Sequence, residues 1–426
     1  MTRTSSSFAG VIRGCAVAGL LVGCSHPSSD TPDAGDGGVR ERSEHIEGGA
    51  RDVTVRAPTD ASLLVDAGYG ELDAADAVSF WVPPDAGSVQ PQHGRGEWLH
   101  VSGTSIVDPQ GAVVRLFGVN RSGTEYECVD GDGIFDGPAD VASIKAIKAW
   151  NANAVRIPLN EDCWLGINGV AAAYGGDAYK GAIAAYVHLL LANGVYPILD
   201  LHWTAPGDTQ ATGQEPMPDT DHSVTLWTDV ATMFRGEANV IFELFNEPWP
   251  DGDQDTDAAW DCWQNGGTCS GVSYPVAGMQ TLVTAVRATG AGNLVLLGGV
   301  EYSNGLSQWV QRKPSDPANN LAVAWHIYPE NQCNAEACWD GAAGPAATAA
   351  AFPTVATEIG DSNCDATFPT SVMTWLDKNG SQSYLGWTWD TFGASCGLYS
   401  LVTDYDGSAN GAYGMAFKTH FASVNP

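Results

Sequence analysis

The run AIAAYVHLLLANGVYPILDLH, residues 182–202, changes its hydrophobic period partway along. Ala182–Ala192 has the spacing of an amphipathic helix, Tyr196–Leu201 is a short apolar strand, and His202 closes it with a polar group. The same texture recurs from one end of the region to the other. Strand-like runs occur at Val114–Val119, Ala154–Pro158, Tyr196–Leu201, Val240–Phe245, Leu294–Leu297, Leu321–His326, Thr354–Glu358 and Tyr384–Trp389. Helical patterns at Val141–Trp150, Val276–Ala288 and Ser371–Lys378 fall between them. Short apolar strands separated by helices pair in parallel, with both faces of the sheet covered. Eight such runs across residues 96–426 predict an α/β fold, a (β/α)8 TIM barrel. A doubly wound open sheet is the alternative, and it lacks a Gly-rich phosphate turn after the first strand. Ahead of the barrel, Val101–Val114 reads as a hairpin turning at Asp108-Pro109-Gln110-Gly111.

In such a barrel the chemistry lies where the strands end. The strand ends carry Asn120 and Arg121, Arg156, His202, Asn246 and Glu247, Glu301, His326 and Tyr328, Glu358, and Trp387 with Trp389. Folding alone does not require polar groups at nearly every strand end. Glu247 and Glu358 close the fourth and seventh strands, which places two carboxylates across one cleft. Carboxyl groups about 5–5.5 Å apart suit retaining glycoside hydrolysis, and about 6.5–9.5 Å suits inversion. One must be protonated to expel the leaving group while the other is ionised to attack. Glu243 lies deeper in its strand and reads as an inner-barrel partner of Arg156.

Six motifs occur in order: Val155-Arg156-Ile157-Pro158, Leu199-Asp200-Leu201-His202-Trp203, Asn246-Glu247-Pro248, His326-Ile327-Tyr328, Thr357-Glu358-Ile359-Gly360 and Trp387-Thr388-Trp389. From about Glu97 onward the chain resembles glycoside hydrolase family 5. The resemblance implies retaining hydrolysis of β-linked glycans with no metal and no other cofactor. It makes Glu247 the general acid/base and Glu358 the nucleophile. Asn246 would donate to the sugar 2-OH, and Arg156 and Tyr328 would keep Glu358 ionised and aimed. His202 and His326 would bind sugar hydroxyls or tune Glu247. Trp387 and Trp389 point the same way along a strand, and the family pattern favours Trp387 as the sugar-stacking ring.

Trp164, Trp203, Trp249, Trp260, Trp263 and Trp339 fall on loops at the mouth, where flat rings can carry pyranoses, although two or three of them should merely pack. The insertion Pro248–Tyr274 and the loop Pro329–Asp340 are the expected cleft walls. The leading substrate is β-1,4-glucan, ahead of mannan, xylan-type and side-chain glycosides. A metal hydrolase using Asp200, His202, His326 and Glu358 is a rival, but its usual H-x-H pairing is missing. A glycan-binding protein on a dead scaffold is another, and it would have no need of both carboxylates.

The chain as a whole has 426 residues, with 50 Asp+Glu against 19 Lys+Arg and a formal charge of −31. So acidic a molecule repels nucleic-acid phosphates, which excludes that class of partner. Residues 1–23 read as an export signal ending Leu21-Val22-Gly23-Cys24, a bacterial lipobox in which Cys24 is acylated. Residues 24–95 read as an acidic linker in which Pro32-Asp33-Ala34-Gly35 returns as Pro84-Asp85-Ala86-Gly87. The expected product is a monomeric, membrane-anchored lipoprotein at the cell surface, outer membrane or periplasm, touching the membrane only through its lipid. Export favours disulfides. Spacing suggests Cys262–Cys269 and Cys333–Cys338, leaving Cys128–Cys163 and Cys364–Cys396.

Overall fold

The computed structural model describes residues 98–379, 382–392 and 399–425. The leader, Cys24 and the linker lie outside these residues, as does Cys396. Eight parallel strands close into a barrel: β1 (Phe117–Asn120), β2 (Ala154–Asn160), β3 (Tyr196–Trp203), β4 (Ile241–Glu243), β5 (Val295–Leu297), β6 (Leu321–Ile327), β7 (Thr354–Ile359) and β8 (Ser383–Gly386). Each strand leads to a helix of the outer ring: α1 (Val141–Lys148), α2 (Asp177–Ala192), α3 (Ser223–Phe234), α4 (Met279–Ala288), α5 (Trp309–Arg312), α6 (Pro345–Ala349), α7 (Thr367–Lys378) and α8 (Gly411–Val424). Helix α1 starts where it does because Asp140 accepts the Ser143 N–H at 2.8 Å while the Ser143 hydroxyl reaches back to the Asp140 N–H, a reciprocal cap.

The two-residue period of the strands sorts their side chains into two cores. Outward residues such as Leu199, Val323, Trp325 and Ala356 pack with the helices. Inward residues Ala154, Ile198, Ile241, Leu296, Ala324 and Leu385 fill the barrel floor. One step further along the same inward face the chemistry changes: Ala154 gives way to Arg156, Ile198 to Asp200, Ile241 to Glu243 and Ala324 to His326. An apolar plug therefore supports a charged layer at the C-terminal mouth.

The hairpin before the barrel pairs His100–Ser102 with Ser105–Val107, so the chain turns at Gly103-Thr104 as well as at the expected Asp108–Gly111 turn. Leu99 and Ile106 join the apolar floor. Asn320 fastens the hairpin by accepting the Val101 N–H and donating to the Leu99 carbonyl, both at 2.9 Å. The fourth strand is shorter than its apolar run, and the eighth ends at Gly386 rather than at Trp389. Val276–Ala277 is a bridge to Gly266–Gly267 rather than the start of a helix. Among the described residues no helix is long and apolar enough to cross a membrane.

Candidate active site

Arg156 is the hub of the charged layer. From β2 its guanidinium donates to Glu243 Oε2 (2.8 Å), Asn120 Oδ1 (3.0 Å), Asn246 Oδ1 (2.7 Å) and Glu358 Oε1 (2.6 Å), and lies 3.0 Å from Asp200 Oδ2. Burial opposes the charge of this side chain, but Asp200, Glu243 and Glu358 outweigh it and hold the guanidinium firmly cationic. Glu243 in turn is kept below the ordinary carboxylate range: burial pushes it up, and Arg156 and His326 more than offset that. The sequence reading of Glu243 as an internal partner of Arg156 matches this arrangement.

Glu358 uses both carboxylate oxygens. Oε1 accepts from Arg156, and Oε2 accepts the Tyr328 hydroxyl at 2.5 Å. Burial and the neighbouring Glu358 and Glu247 charges push the Tyr328 phenol far above its usual range, so it stays a donor. The glycine of Ile359-Gly360 makes this contact possible, since a Cβ at Gly360 would fall 2.2 Å from the Tyr328 ring.

Glu247 is half-buried and meets His326, whose Nδ1 lies 2.8 Å from Glu247 Oε1 and 3.5 Å from Glu358 Oε2. Burial alone would lower this imidazole. The charge of Glu358 and the hydrogen bonds to Glu243 and Glu247 overcome it and raise the group to about 10. Protonated, His326 donates through Nε2 to Thr357 Oγ1 (3.1 Å), which donates to Glu243 (3.0 Å). One oxygen of Glu247, one of Glu358 and a nitrogen of His326 lie within 4.8 Å of one another. That closeness of the two carboxylates fits the retaining geometry. The same trio has a donor spacing that a metal ion could use. The metal set weighed from the sequence is divided differently, because Asp200 Oδ2 is taken up by Arg156 and His202.

His202 behaves in the opposite way to His326. Burial and the nearby Arg156 charge depress it to about 3, so it is neutral. Its Nδ1–H donates to Asp200 Oδ2 at 2.7 Å, which leaves Nε2 as an acceptor facing the Asn246 amide at 3.5 Å. With Oδ1 toward Arg156 and Nδ2 toward His202, the Asn246 side chain has a fixed orientation. Trp387 stacks on His202 with ring centroids 5.4 Å apart and planes 4° from parallel, and it keeps part of its surface exposed.

Trp387 and Trp389 do not point the same way. The strand has ended before them, at Gly386. Trp389 is fully buried, edge-on to Trp150 at 4.8 Å. Of the six loop tryptophans, Trp164, Trp260, Trp263 and Trp339 are core residues, one or two more than expected, and only Trp203 and Trp249 retain surface. Trp249 stacks with Tyr302 at 5.7 Å. Glu301 is not at the mouth of a strand; it begins a left-handed turn after β5.

Sequence reasoning missed Thr357. Alternation sends Glu358 and Thr357 to opposite faces, but β7 shifts register against β8 between Ala356 and Ile359, and both side chains turn inward. Disulfides join Cys128–Cys163, Cys262–Cys269 and Cys333–Cys338. The loops Pro248–Tyr274 and Pro329–Asp340 leave the barrel just after Glu247 and His326, each with one of these staples.

The sequence model of the cellulase family, glycosyl hydrolase family 5, matches residues 107–393. The manganese dependent endoglucanase Eg5A of Phanerodontia chrysosporium is 29% identical over 204 residues, 46% of this chain and 46% of that protein. Endoglucanase MaCel5A of a Microbulbifer species is 24% identical over 177 residues, 41% of this chain and 28% of that protein. The chain thus spans about half the length, or less, of the curated relatives it matches. The structure of a β-glucanase from Saccharophagus degradans in complex with cellotetraose shares the fold, with a TM-score of 0.60 and 21% identity over 77% of this chain and 94% of that one.

Proposed function

The chain belongs to glycosyl hydrolase family 5, and on that premise we propose that it is a retaining, endoglucanase-type hydrolase of β-1,4-glucan. The observation that carries the reading is the pair Glu247 and Glu358, within 4.8 Å through one oxygen each yet held by different partners. Glu358, gripped by Arg156 and Tyr328, is the nucleophile. Glu247, partly exposed and bonded to His326, is the acid/base. Several relatives carry the name endoglucanase, which supports the choice of β-1,4-glucan.

In the first step a Glu358 oxygen attacks the anomeric carbon. The bond to the leaving oxygen breaks with its electron pair, and that oxygen takes the proton of Glu247. In the second, Glu247 removes a proton from water as the water oxygen attacks the same carbon and the Glu358–carbon bond breaks, so configuration is retained. Asn246, oriented by Arg156 and His202, offers its remaining amide N–H to the sugar 2-OH. Trp387 supplies the stacking face beside the cleavage point. Cys24 carries the lipid that ties the exported protein to a membrane surface, a reading supported by the Leu21-Val22-Gly23-Cys24 sequence.

The test is product release from a panel of β-glucans, mannans, xylans and aryl glycosides, with product anomers followed by NMR. Activity confined to β-1,4-glucan with retained configuration is the expected result. Hydrolysis of another polymer alone would reassign the substrate, and inverted product would remove Glu358 as nucleophile. For the anchor, Cys24→Ala should move the protein from the membrane to the soluble fraction, and an unchanged distribution would dismiss it.

A further inference from the structure

The segment that follows β5 has a backbone that ordinary side chains disfavour. Glu301, Tyr302 and Ser303 have φ of 54°, 57° and 60°, three consecutive non-glycine residues in the left-handed region. The turn is closed on itself: Gly305 donates to the Val300 carbonyl at 2.9 Å and Asn304 to the Glu301 carbonyl at 3.1 Å. Strain of this kind persists only where the surroundings impose it.

Its contacts show where it is directed. The Ser303 hydroxyl donates to the Asn246 carbonyl at 2.7 Å, and the Tyr302 N–H donates to the Pro248 carbonyl at 3.0 Å. Those two carbonyls flank Glu247. The next residue, Asn304, donates to the His326 carbonyl at 2.9 Å and accepts the Cys333 N–H at 2.9 Å. Three consecutive residues of one turn therefore hold the backbone on either side of Glu247 and that of its partner His326. Space for the Ser303 hydroxyl exists because residue 298 is glycine; a Cβ there would lie 2.0 Å from Ser303 Oγ.

We infer that the Glu301–Asn304 turn is a positioning device for acid catalysis, in which the Ser303 hydroxyl fixes the Glu247 peptide against His326. The inference rests on the reading of Glu247 as acid/base. Ser303 touches no reacting atom and acts through Glu247, so its loss should be felt only where a leaving group needs a proton.

The experiment compares kcat/KM, which reports the step up to loss of the leaving group, on a cello-oligosaccharide and on a dinitrophenyl cellobioside. The second leaving group departs without protonation. For Ser303→Ala the oligosaccharide value should fall about ten- to a hundred-fold while the aryl glycoside changes by less than about three-fold. Ser303→Gly removes the same hydroxyl and accepts the left-handed backbone without strain, so it gives the same split if the alanine variant folds poorly. Equal losses on both substrates, or no loss, would overturn the role. Glu247→Ala is run beside them: if it shows no split, the acid/base assignment itself falls and the inference with it. If Glu247→Ala splits the substrates and neither serine variant does, the inference alone fails.

Discussion

At the scale of single residues, the two carboxylates differ because their neighbours differ. Glu358 has a cationic and a phenolic donor on its two oxygens, which fix the orientation of its carboxylate. Glu247 has a single imidazole partner, His326, on one oxygen and keeps part of its surface exposed. Alanine at either position should lower kcat on β-glucan by about a thousand-fold or more with an unchanged circular dichroism spectrum, and wild-type turnover of the polymer by either variant would refute the assignment. The two tryptophans make a second contrast. Trp387→Ala should lower kcat/KM on glucan with little change in melting temperature. Trp389→Ala should instead destabilise the fold by about 3–5 kcal/mol, the usual cost of emptying a buried aromatic site. The reverse pattern in paired melts and kinetics would exchange their roles. Alternation along a strand could not separate these rings, since it gives them equal parity, and only the family resemblance favoured Trp387. What separates them is the end of β8 at Gly386, which no local hydrophobic pattern announces.

Among the elements, the strands were legible and their irregularities were not. Runs such as Ala154–Pro158 and Tyr196–Leu201 fall within β2 and β3, because burial on both faces leaves an unmistakable apolar signature. Arg156, His202, His326 and Glu358 could be read for the complementary reason, as polar groups where such runs stop. The register shift in β7 that brings Thr357 beside His326 depends on pairing with distant strands. So does the left-handed turn at Glu301–Ser303, whose residues carry no glycine to mark it. One or two more loop tryptophans pack than the sequence suggested because the loops themselves form a packed layer, in which Trp263 donates to the Gly298 carbonyl at 2.9 Å and Trp309 to the Leu297 carbonyl at 2.9 Å. One element-level consequence concerns the end of β7. Gly360→Ala should push Tyr328 off Glu358 and lower kcat at least about ten-fold with KM nearly constant, since the lost hydrogen bond serves the nucleophile rather than substrate binding. An unchanged kcat would mean that the Tyr328 hydroxyl is dispensable.

For the whole molecule, buried ionisable groups set the pH range of stability. His326 holds its proton to about 10 in the folded chain against an ordinary value of 6.5, so the stability it lends is complete below 6.5 and is lost as the pH rises through 10. Glu125, pushed up to about 8 by burial, works in the same direction between 4.5 and 8. His202, depressed to about 3, works oppositely, and its contribution disappears as the pH falls below 6.5. Melting temperature should therefore decline from pH 7 to pH 10. Glu125→Gln, which keeps a neutral side chain, should soften that decline; a melting temperature rising across the interval would contradict the sign for both groups.

The three described disulfides share one address. Cys128–Cys163 links the loops after β1 and β2, and the other two close loops after β4 and β6, so every one lies on the rim that surrounds Glu247 and Glu358. None crosses the barrel floor, where hydrophobic packing suffices. Oxidation thus governs the shape of the opening while leaving the frame to assemble without it. A reductant should therefore loosen the walls of the opening before it disturbs the frame beneath them, since the loops lose their fastenings while the apolar floor keeps its packing.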